Sequence, residues 1–199
     1  MNGLEGDHDR RFRLAILANP YNREILARAP QLALDDAWLV SGCLFQTVWN
    51  VLDGREPTYG IKDYDIFYFD ADTSWEAEDA KIRYAAAAFA DLGLEIEVRN
   101  QARVHLWYEQ KFGVACPQFR SSRDGIDHFL NTFSMVGVSP EGNGLRLYAP
   151  VGLQDVFARI MRPNPLWRGN SRRDRYDEKA ARWKSLWPSL TIAPWEDAA

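Results

Sequence analysis

The sequence is poor in cysteine and histidine, and this narrows its chemistry. It contains two cysteines, Cys43 and Cys116, and three histidines in 199 residues. Two cysteines cannot build the disulfide framework of a small secreted domain, and no cluster of His and Cys has the spacing of a zinc site. The start of a predicted helix would lower the pKa of Cys43, but we do not expect a catalytic nucleophile there. His8 and His128 are expected at the surface.

Long apolar runs are also missing. No apolar segment approaches the roughly 20 residues of a membrane-spanning helix, and the N-terminal stretch MNGLEGDHDRRFR lacks the apolar core of a signal peptide. We therefore expect a cytoplasmic protein that contacts no membrane. Hydrophobic residues make up 46% of the chain and charged residues 26%, as in an ordinary globular domain with a substantial core.

Aromatic residues and a basic C-terminal segment are abundant. The chain has 8 Trp, 8 Tyr and 10 Phe, most of which belong in a core, and a surface tryptophan would suit a flat, base-like ligand. The net charge is −4, yet residues 157–184 contain nine Lys and Arg against three Asp and Glu. This segment either binds phosphate or is a solvated helix face with internal ion pairs. The acidic total argues against tight nucleic-acid binding, so a nucleic-acid partner is not expected, although the sequence leaves it open.

Hydrophobic periodicity, caps and breakers predict an α+β fold. Strands are predicted over 37–40, 64–70 and 94–99, followed by a hairpin around SPEGNG. Helices are predicted over 8–18, 22–29, 41–54, 74–93, 101–112, 122–133 and 172–186, with Asn22 and Ser74 as N-caps. We expect a small mixed β-sheet with helices packed on it. The chain divides into N-terminal helices (1–36), a core (37–150) and a basic helical C-terminal segment packed on that core (151–199).

Two aspartates, Asp63 and Asp65, lie in the stretch IKDYDIFYFD at the start of a predicted strand. Side chains two apart in a strand share a face, so each carboxylate would raise the pKa of the other. A divalent cation removes this repulsion, and Mg²⁺ is typically held by one or two carboxylates plus substrate phosphates. The next strand, LEIEVR, offers Glu95 or Glu97 as a third carboxylate. Three such carboxylates can hold two metal ions about 3.5–4 Å apart for phosphoryl transfer.

A second signal precedes the acidic pair. The stretch VSGCLF places Ser41 and Gly42 at the start of a helix directly after an apolar strand. Glycine lets the backbone approach a phosphate closely, and the free N–H groups and dipole of a helix N-terminus attract an anion. The order of anion-binding turn, carboxylate pair, helix and acidic strand is more specific than an isolated Asp-x-Asp pair.

These segments resemble nucleotidyltransferases of the DNA polymerase beta superfamily, and more closely a poorly characterised bacterial family of nucleotidyltransferase-like proteins. The superfamily has a helix opening with Gly-Gly or Gly-Ser, then Asp-x-Asp or Asp-x-Glu on the next strand, then a third carboxylate on a later strand. The matching residues are Ser41-Gly42, Asp63 and Asp65, and Glu97 or Glu95. The resemblance extends over about residues 35–185, including SGCLFQTVWN, IKDYDIFYFD, EVRNQARVHLWY and YAPVGLQDVFARIMRPNP.

The resemblance implies a mixed sheet with helices on one side, two-metal chemistry with Mg²⁺ or Mn²⁺, and transfer of NMP from an NTP to an acceptor. Asp63, Asp65 and Glu97 would be the catalytic metal ligands, and Ser41 and Gly42 would hold the phosphates.

The chain departs from the superfamily pattern in two ways. Cys43 follows Gly42, where the superfamily has Gly or Ser, so Ser41 would have to supply the missing hydroxyl. In addition, 20 residues separate Gly42 from Asp63, which is longer than in typical superfamily members.

Polar residues also follow the acidic strand, in RNQARVHLWY. Arg103 would meet the triphosphate of a bound nucleotide and His105 the acceptor. The alternative is that both cap a helix and satisfy buried carbonyls, and the sequence does not decide between the two. Asn100 and Gln101 are expected to have only this structural role.

Three functions therefore stay open. The first is a metal-dependent nucleotidyltransferase with an unknown acceptor. The second is a nucleotide-binding or partner-binding module on the same fold without turnover. The third is a glycosyltransferase that uses Asp-x-Asp to bind a nucleotide sugar through a metal ion. In such enzymes the pair usually follows its strand, whereas here the apolar run comes after Asp65.

Overall fold

The structure is a computed structural model, and it describes residues 3–167 and 172–195. Arg168, counted above in the basic segment, lies outside these residues. The helices are α1 (Gly3–Ile16), α2 (Pro20–Arg28), α3 (Gly42–Leu52), α4 (Trp75–Ala88), α5 (Val104–Phe112), α6 (Ser122–Asp127), α7 (Gln154–Ala158) and α8 (Arg173–Leu186). The strands are β1 (Trp38–Val40), β2 (Asp63–Tyr68), β3 (Glu95–Asn100), β4 (Gly137–Glu141), β5 (Gly144–Tyr148), β6 (Ile160–Met161) and β7 (Thr191–Ile192).

Five strands form one mixed sheet in the order β3-β2-β1-β4-β5. β2 and β3 are parallel, and the other neighbours are antiparallel. The expected small mixed sheet is therefore confirmed. The parallel pair β6–β7 was not predicted, because two strands of two residues give no periodic signal and are distant in sequence.

The sheet has one apolar face and one polar face at β2. Tyr64, Ile66 and Tyr68 are buried, whereas the alternating residues are only partly buried. The period of two separates the faces, because successive side chains of a strand point in opposite directions. The buried three belong to the main core, where each large side chain contributes about 1.5–3 kcal/mol. The polar face is thereby left for the carboxylates.

Helix α3 connects this sheet to the C-terminal helix. Its Phe45 ring lies 5.3 Å from the ring of Trp183 on α8, and Trp49 lies 5.3 Å from Trp187 at the end of α8. These aromatic contacts bury α8 against the core rather than leaving it as a detached basic tail. Because Trp183 and Trp187 are buried, they determine which face of α8 is turned toward the core and which is turned away from it.

Several predicted helix boundaries differ from the structure: the helix predicted over 8–18 spans Gly3–Ile16, the one over 74–93 ends at Ala88, and the one over 101–112 begins at Val104. Helix α2 is capped by Asn19, whose side chain accepts hydrogen bonds from the backbone of the first turn, with Pro20 inside that turn. Asn22, predicted as the cap, is instead buried and donates hydrogen bonds to Ile16 O and Cys43 O. The helix predicted over 122–133 ends at Asp127.

The terminal segments share the core of the sheet. Phe12 and Ile25 from the N-terminal helices and Trp183 from α8 belong to the same buried cluster as Ile66. The division into 1–36, 37–150 and 151–199 stays a prediction. No helix within residues 3–167 and 172–195 is long and apolar enough to cross a bilayer.

Candidate active site

The carboxylates predicted to act together stand side by side on the sheet. In the parallel pairing of β2 and β3, Asp63 is opposite Glu95 and Asp65 is opposite Glu97. All four lie on the same sheet face, away from Tyr64. Glu95 is exposed, whereas Glu97 is close enough to Asp65 to raise its pKa. Of the two candidates for the third carboxylate, the structure favours Glu97.

The turn before α3 approaches this row of carboxylates. A Cβ atom built on Gly42 would lie 3.9 Å from Oδ1 of Asp63 and only 3.0 Å from Nε2 of Gln46. Ser41 has φ 56° and ψ −114°, an unusual conformation for a residue with a side chain. A backbone hydrogen bond of 2.9 Å from Ser41 N to Val136 O holds it against the segment before β4. The absence of a side chain at position 42 therefore keeps the helix start open next to Asp63.

A cavity of about 290 Å³ lies over these residues, and we call it the central cavity. Its floor includes Ser41, Gly42, Asp63 and Asp65. Aromatic residues form a second part of the wall: Trp107, Tyr108, Phe112, Phe119 and Phe129. Gln46, Asn131 and Ser134 supply uncharged polar groups.

Basic residues of the C-terminal segment form the third part of the wall: Arg172, Arg175, Lys179 and Arg182. The last three lie on α8 at intervals of four and three residues, which places them on one face of the helix. The number of basic residues in this segment did not show which of them share one face of the helix. The spacing of three and four residues was the signal that would have separated them from the exposed Arg173 and Lys184.

Burial and neighbouring charges shift the pKa values of two groups in the cavity wall, Asp65 and Lys179. Burial raises the pKa of Asp65 to about 7, and the charges of Asp63 and Glu97 add to this rise, while Lys179 opposes it. Burial also lowers the pKa of Lys179, against the influence of Asp65. Both shifts mean that the cavity disfavours the charged forms of Asp65 and Lys179, so a bound ligand with both cationic and anionic parts would stabilise the two charges.

A divalent cation is implied by the resemblance, and the donors present fit one only in part. Within residues 3–167 and 172–195, no group of three Asp, Glu, His or Cys side chains is arranged to hold a metal ion. The three-carboxylate site expected from Asp63, Asp65 and Glu97 is therefore not preformed. Glu97 instead pairs with Arg99 at 2.9 Å. Two carboxylates with phosphate oxygens are nevertheless a normal donor set for Mg²⁺.

The structure does not bring Arg103 and His105 into the central cavity. Arg103 forms a buried ion pair with Glu78 at 2.8 Å and donates a hydrogen bond to Thr73 O. The physical reason is helix geometry: Val104, Trp107, Tyr108 and Phe112 form the α5 face that lines the cavity, so residues 103 and 105 point elsewhere.

Two polar residues before α5 have the roles expected of them, with one addition. The side chain of Asn100 accepts a hydrogen bond from Ala102 N and donates one to Asp70 O, so it is a capping residue. Gln101 donates to Arg99 O. Gln101 also lines the central cavity, which sequence reasoning did not predict.

Two further expectations need correction. Cys43 is completely buried, and burial raises its pKa, so the lowering expected from the helix start does not occur. His128, expected at the surface, is half-buried in the wall of the central cavity, where Nδ1 lies 2.7 Å from Asp124 O. The raised pKa of Cys43 agrees with the expectation that it is not a nucleophile.

Comparison with known proteins agrees with this geometry. A family model described as nucleotidyltransferase matches residues 27–192. A search of curated proteins found no match. A solved NMR structure, described as revealing a CCA-adding enzyme head domain, is similar with a TM-score of 0.76 and 25% sequence identity, covering 92% of this chain and 94% of that one. The fold is that of the polymerase-beta-like nucleotidyltransferases, and the chain belongs to the nucleotidyltransferase family whose model it matches.

Proposed function

We propose that the protein transfers an NMP group from an NTP to an acceptor hydroxyl in the central cavity, with Mg²⁺ or Mn²⁺. One observation carries this proposal: Asp63 and Asp65, the Ser41-Gly42 turn and the basic face of α8 line the same cavity. A metal–triphosphate complex carries both kinds of charge that these walls require. The family assignment leaves the glycosyltransferase hypothesis without support.

The metal would be held by Asp63 and Asp65, with Glu97 as the third candidate ligand. When bound, it neutralises charge on the reacting phosphate and polarises its oxygens. Lys179 and Arg182 line the same cavity as Gly42 and would bind the β- and γ-phosphates together with the backbone at Gly42. Cationic side chains and backbone N–H groups are the usual ligands of phosphate oxygens.

The reaction requires one bond to form and one to break. The acceptor oxygen attacks the α-phosphorus, the bond from that phosphorus to the oxygen bridging it to the β-phosphate breaks, and pyrophosphate leaves with the electron pair. The hydroxyl proton passes to a carboxylate of the row, Glu97 in our assignment, and then to solvent. The basic face of α8 would stabilise the negative charge that accumulates on the leaving pyrophosphate.

The aromatic part of the wall suits the base of the nucleotide. Trp107 and Phe112 belong to one face of α5, and Phe129 lines the same cavity from the segment after α6. Flat aromatic rings bind a base through stacking. A cavity of about 290 Å³ is at the lower end of the usual size range of small-molecule sites.

Product analysis tests the proposal. The protein is incubated with each NTP labelled at the α-phosphate, Mg²⁺ and a metabolite extract. We expect the label in a new product together with pyrophosphate, and no transfer by Asp63→Asn with Asp65→Asn. Release of inorganic phosphate without pyrophosphate would contradict NMP transfer.

A nucleotide-binding module without turnover is the second candidate. The ion pair between Glu97 and Arg99 favours it, because a carboxylate held by a guanidinium is less available to a metal ion. Calorimetry separates the two candidates: tight binding of Mg²⁺–NTP with no pyrophosphate from any labelled mixture would select the module.

A further inference from the structure

The segment between α6 and β4 connects the two ends of the proposed nucleotide site. Near its start, the ring of Phe129 is stacked on that of Phe67 with 5.4 Å between the ring centres. Phe67 is two residues after Asp65 and on the same face of β2. At the end of the segment, the carbonyl of Val136 accepts the hydrogen bond from Ser41 N that holds the turn before α3. The segment therefore runs along the cavity wall from its aromatic part to that turn.

Asn131 lies in this segment, lines the central cavity and is only 1% exposed. Its Oδ1 accepts hydrogen bonds from Ser134 N at 3.1 Å and from Ser134 Oγ at 2.9 Å. Because a backbone N–H can only donate, the amide atom that faces it is the oxygen, and the orientation of the amide is fixed. Its nitrogen, Nδ2, has no acceptor among the residues that the structure describes. Since buried amide groups are normally hydrogen-bonded, Nδ2 is a donor available to a ligand in the cavity.

Ser134 supplies the complementary group. It lines the same cavity, and its hydroxyl proton is used in the bond to Asn131, so the lone pairs of its Oγ remain as acceptors. A donor and an acceptor therefore lie close together in the wall. This pattern matches a hydroxyl group, which accepts and donates, whereas an ionised phosphate oxygen can only accept.

A bound nucleotide would place its sugar at these two residues. In the proposed binding mode, the base stacks in the aromatic part of the wall and the phosphates lie at the Ser41-Gly42 turn. The sugar connects base and phosphates. Asn131 and Ser134 likewise come between Phe129 and the turn along one wall of the cavity. The hydroxyl that they meet is therefore one of the two on a ribose.

From this arrangement we infer that Asn131 and Ser134 are specificity-determining residues that bind a ribose hydroxyl of the donor nucleotide. Asn131 Nδ2 donates to the hydroxyl oxygen, and Ser134 Oγ accepts from the hydroxyl. The protein thereby distinguishes a ribonucleotide from a deoxyribonucleotide. The inference rests on the proposed NMP transfer, because it uses the binding mode of the NTP described there. Neither residue was predicted from the sequence.

Isothermal titration of the full chain with Mg²⁺ and sugar analogues tests this without an acceptor. ATP, GTP, CTP and UTP are titrated first, and the one that binds most tightly is compared with its 2′-deoxy and 3′-deoxy forms. We expect one of the two deoxy forms to bind the wild-type protein about tenfold more weakly, because two hydrogen bonds of ordinary strength are lost. The weaker analogue identifies the hydroxyl.

Asn131→Leu and Ser134→Ala test the two residues separately. Leucine has about the shape of asparagine without its polar atoms. Asn131→Leu should bind the NTP and its deoxy forms with nearly equal affinity, and Ser134→Ala should retain only part of the preference. A merely structural role of either residue would change all three affinities by the same factor and leave their ratio at the wild-type value.

Thr132→Val is the matched control. Thr132 lies in the same turn, but its hydroxyl donates to Asp155 Oδ2 at 2.7 Å, and it does not line the central cavity. This replacement of similar shape should leave the preference for ribose unchanged. Melting curves report whether each variant is folded, and Ser134→Ala decides if Asn131→Leu is not.

The outcomes separate this inference from the proposed function. A preference for ribose that persists in Thr132→Val and is lost in Asn131→Leu supports it. Equal affinity of the wild-type protein for the NTP and both deoxy forms overturns it, and so does a preference that Asn131→Leu retains. Pyrophosphate release from the labelled NTP reports the proposed function independently. Pyrophosphate release together with equal affinities therefore rejects the ribose assignment alone, whereas no binding of any NTP rejects both.

Discussion

Asp65 and Glu97 are directly paired across the parallel strands β2 and β3, on the sheet face opposite the core. Two carboxylates in this relationship repel each other, and burial adds to the cost of charging Asp65. Lys179 offsets only part of this repulsion, because burial disfavours its own charge. The pairing of these two carboxylates is by itself unfavourable for the stability of the fold. Such a cost is typical of a site that binds a cation from solution.

The first prediction is that Asp65→Asn stabilises the metal-free protein at neutral and alkaline pH. The pKa of Asp65 is raised from 3.8 to about 7, so the folded state binds the proton more tightly than the unfolded state. The stabilising contribution is complete below about pH 4 and is lost as the pH rises through 7. Since one pKa unit corresponds to about 1.4 kcal/mol, a rise of about three units amounts to roughly 4 kcal/mol. Solvent screening of the partly exposed carboxylate reduces the expected gain at pH 8 to the order of 2 kcal/mol.

Urea unfolding in EDTA at pH 5 and pH 8 measures this effect. The wild-type protein should lose stability between the two values, and Asp65→Asn should lose less. Addition of Mg²⁺ at pH 8 should stabilise the wild-type protein but not the variant, because a ligand that binds only the folded state raises its stability. A variant that is less stable than wild type at pH 8 in EDTA would show that Asp65 is not repelled by its neighbours.

The second prediction concerns the basic face of α8. Replacement of Lys179 by Gln should weaken Mg²⁺–NTP binding about tenfold, because one charge-assisted contact to phosphate is lost. Lys184→Gln is the matched control, since Lys184 is on the same helix but is exposed and does not line the central cavity. Isothermal titration with NTP and with NMP separates phosphate contacts from base contacts. An equal loss for NTP and NMP would place Lys179 away from the β- and γ-phosphates.

The third prediction concerns the turn before α3. In Gly42→Val the new side chain would crowd Gln46 Nε2, 3.0 Å from the Cβ position, and lie over the backbone near Asp63. We expect NTP affinity to fall at least tenfold, while binding of the metal alone changes little. Ser41→Ala should cost about 1–3 kcal/mol, the value of one hydrogen bond to a charged group. Unchanged NTP affinity in a folded Gly42→Val protein would mean that this turn only begins a helix.

The alternation of side chains between the two faces of β2 and β3 could be predicted from the sequence, because a strand has a period of two. It placed Asp63, Asp65 and Glu97 on one face, and the register then made Asp65 and Glu97 neighbours. The position of α8 was not readable in this way. Its placement depends on aromatic contacts such as Trp183 with Phe45, which join segments more than 130 residues apart and leave no local pattern.

The direction of the Arg103 side chain could not be predicted from the sequence either. An arginine that follows an acidic strand has the right chemistry to bind phosphate. The direction of its side chain, however, depends on which face of α5 packs inward. Local sequence does not specify that face when aromatic residues such as Trp107, Tyr108 and Phe112 occupy most of the helix. The buried partner, Glu78, comes from α4 and is 25 residues earlier in the sequence.

The fourth prediction separates a structural role of Arg103 from the nucleotide-binding role expected from the sequence. Its ion pair with Glu78 is nearly buried, with side-chain exposures of 11% and 5%. Removing one partner leaves an unpaired buried charge, so Arg103→Met should destabilise the fold by about 3 kcal/mol. Adding Glu78→Gln should recover part of that loss, because it removes the stranded carboxylate. Urea unfolding of both single variants and the double variant gives the coupling between the two residues.

In the folded Arg103→Met protein, Mg²⁺–NTP affinity should equal that of wild type. A tenfold loss of NTP affinity without loss of stability would return Arg103 to the triphosphate.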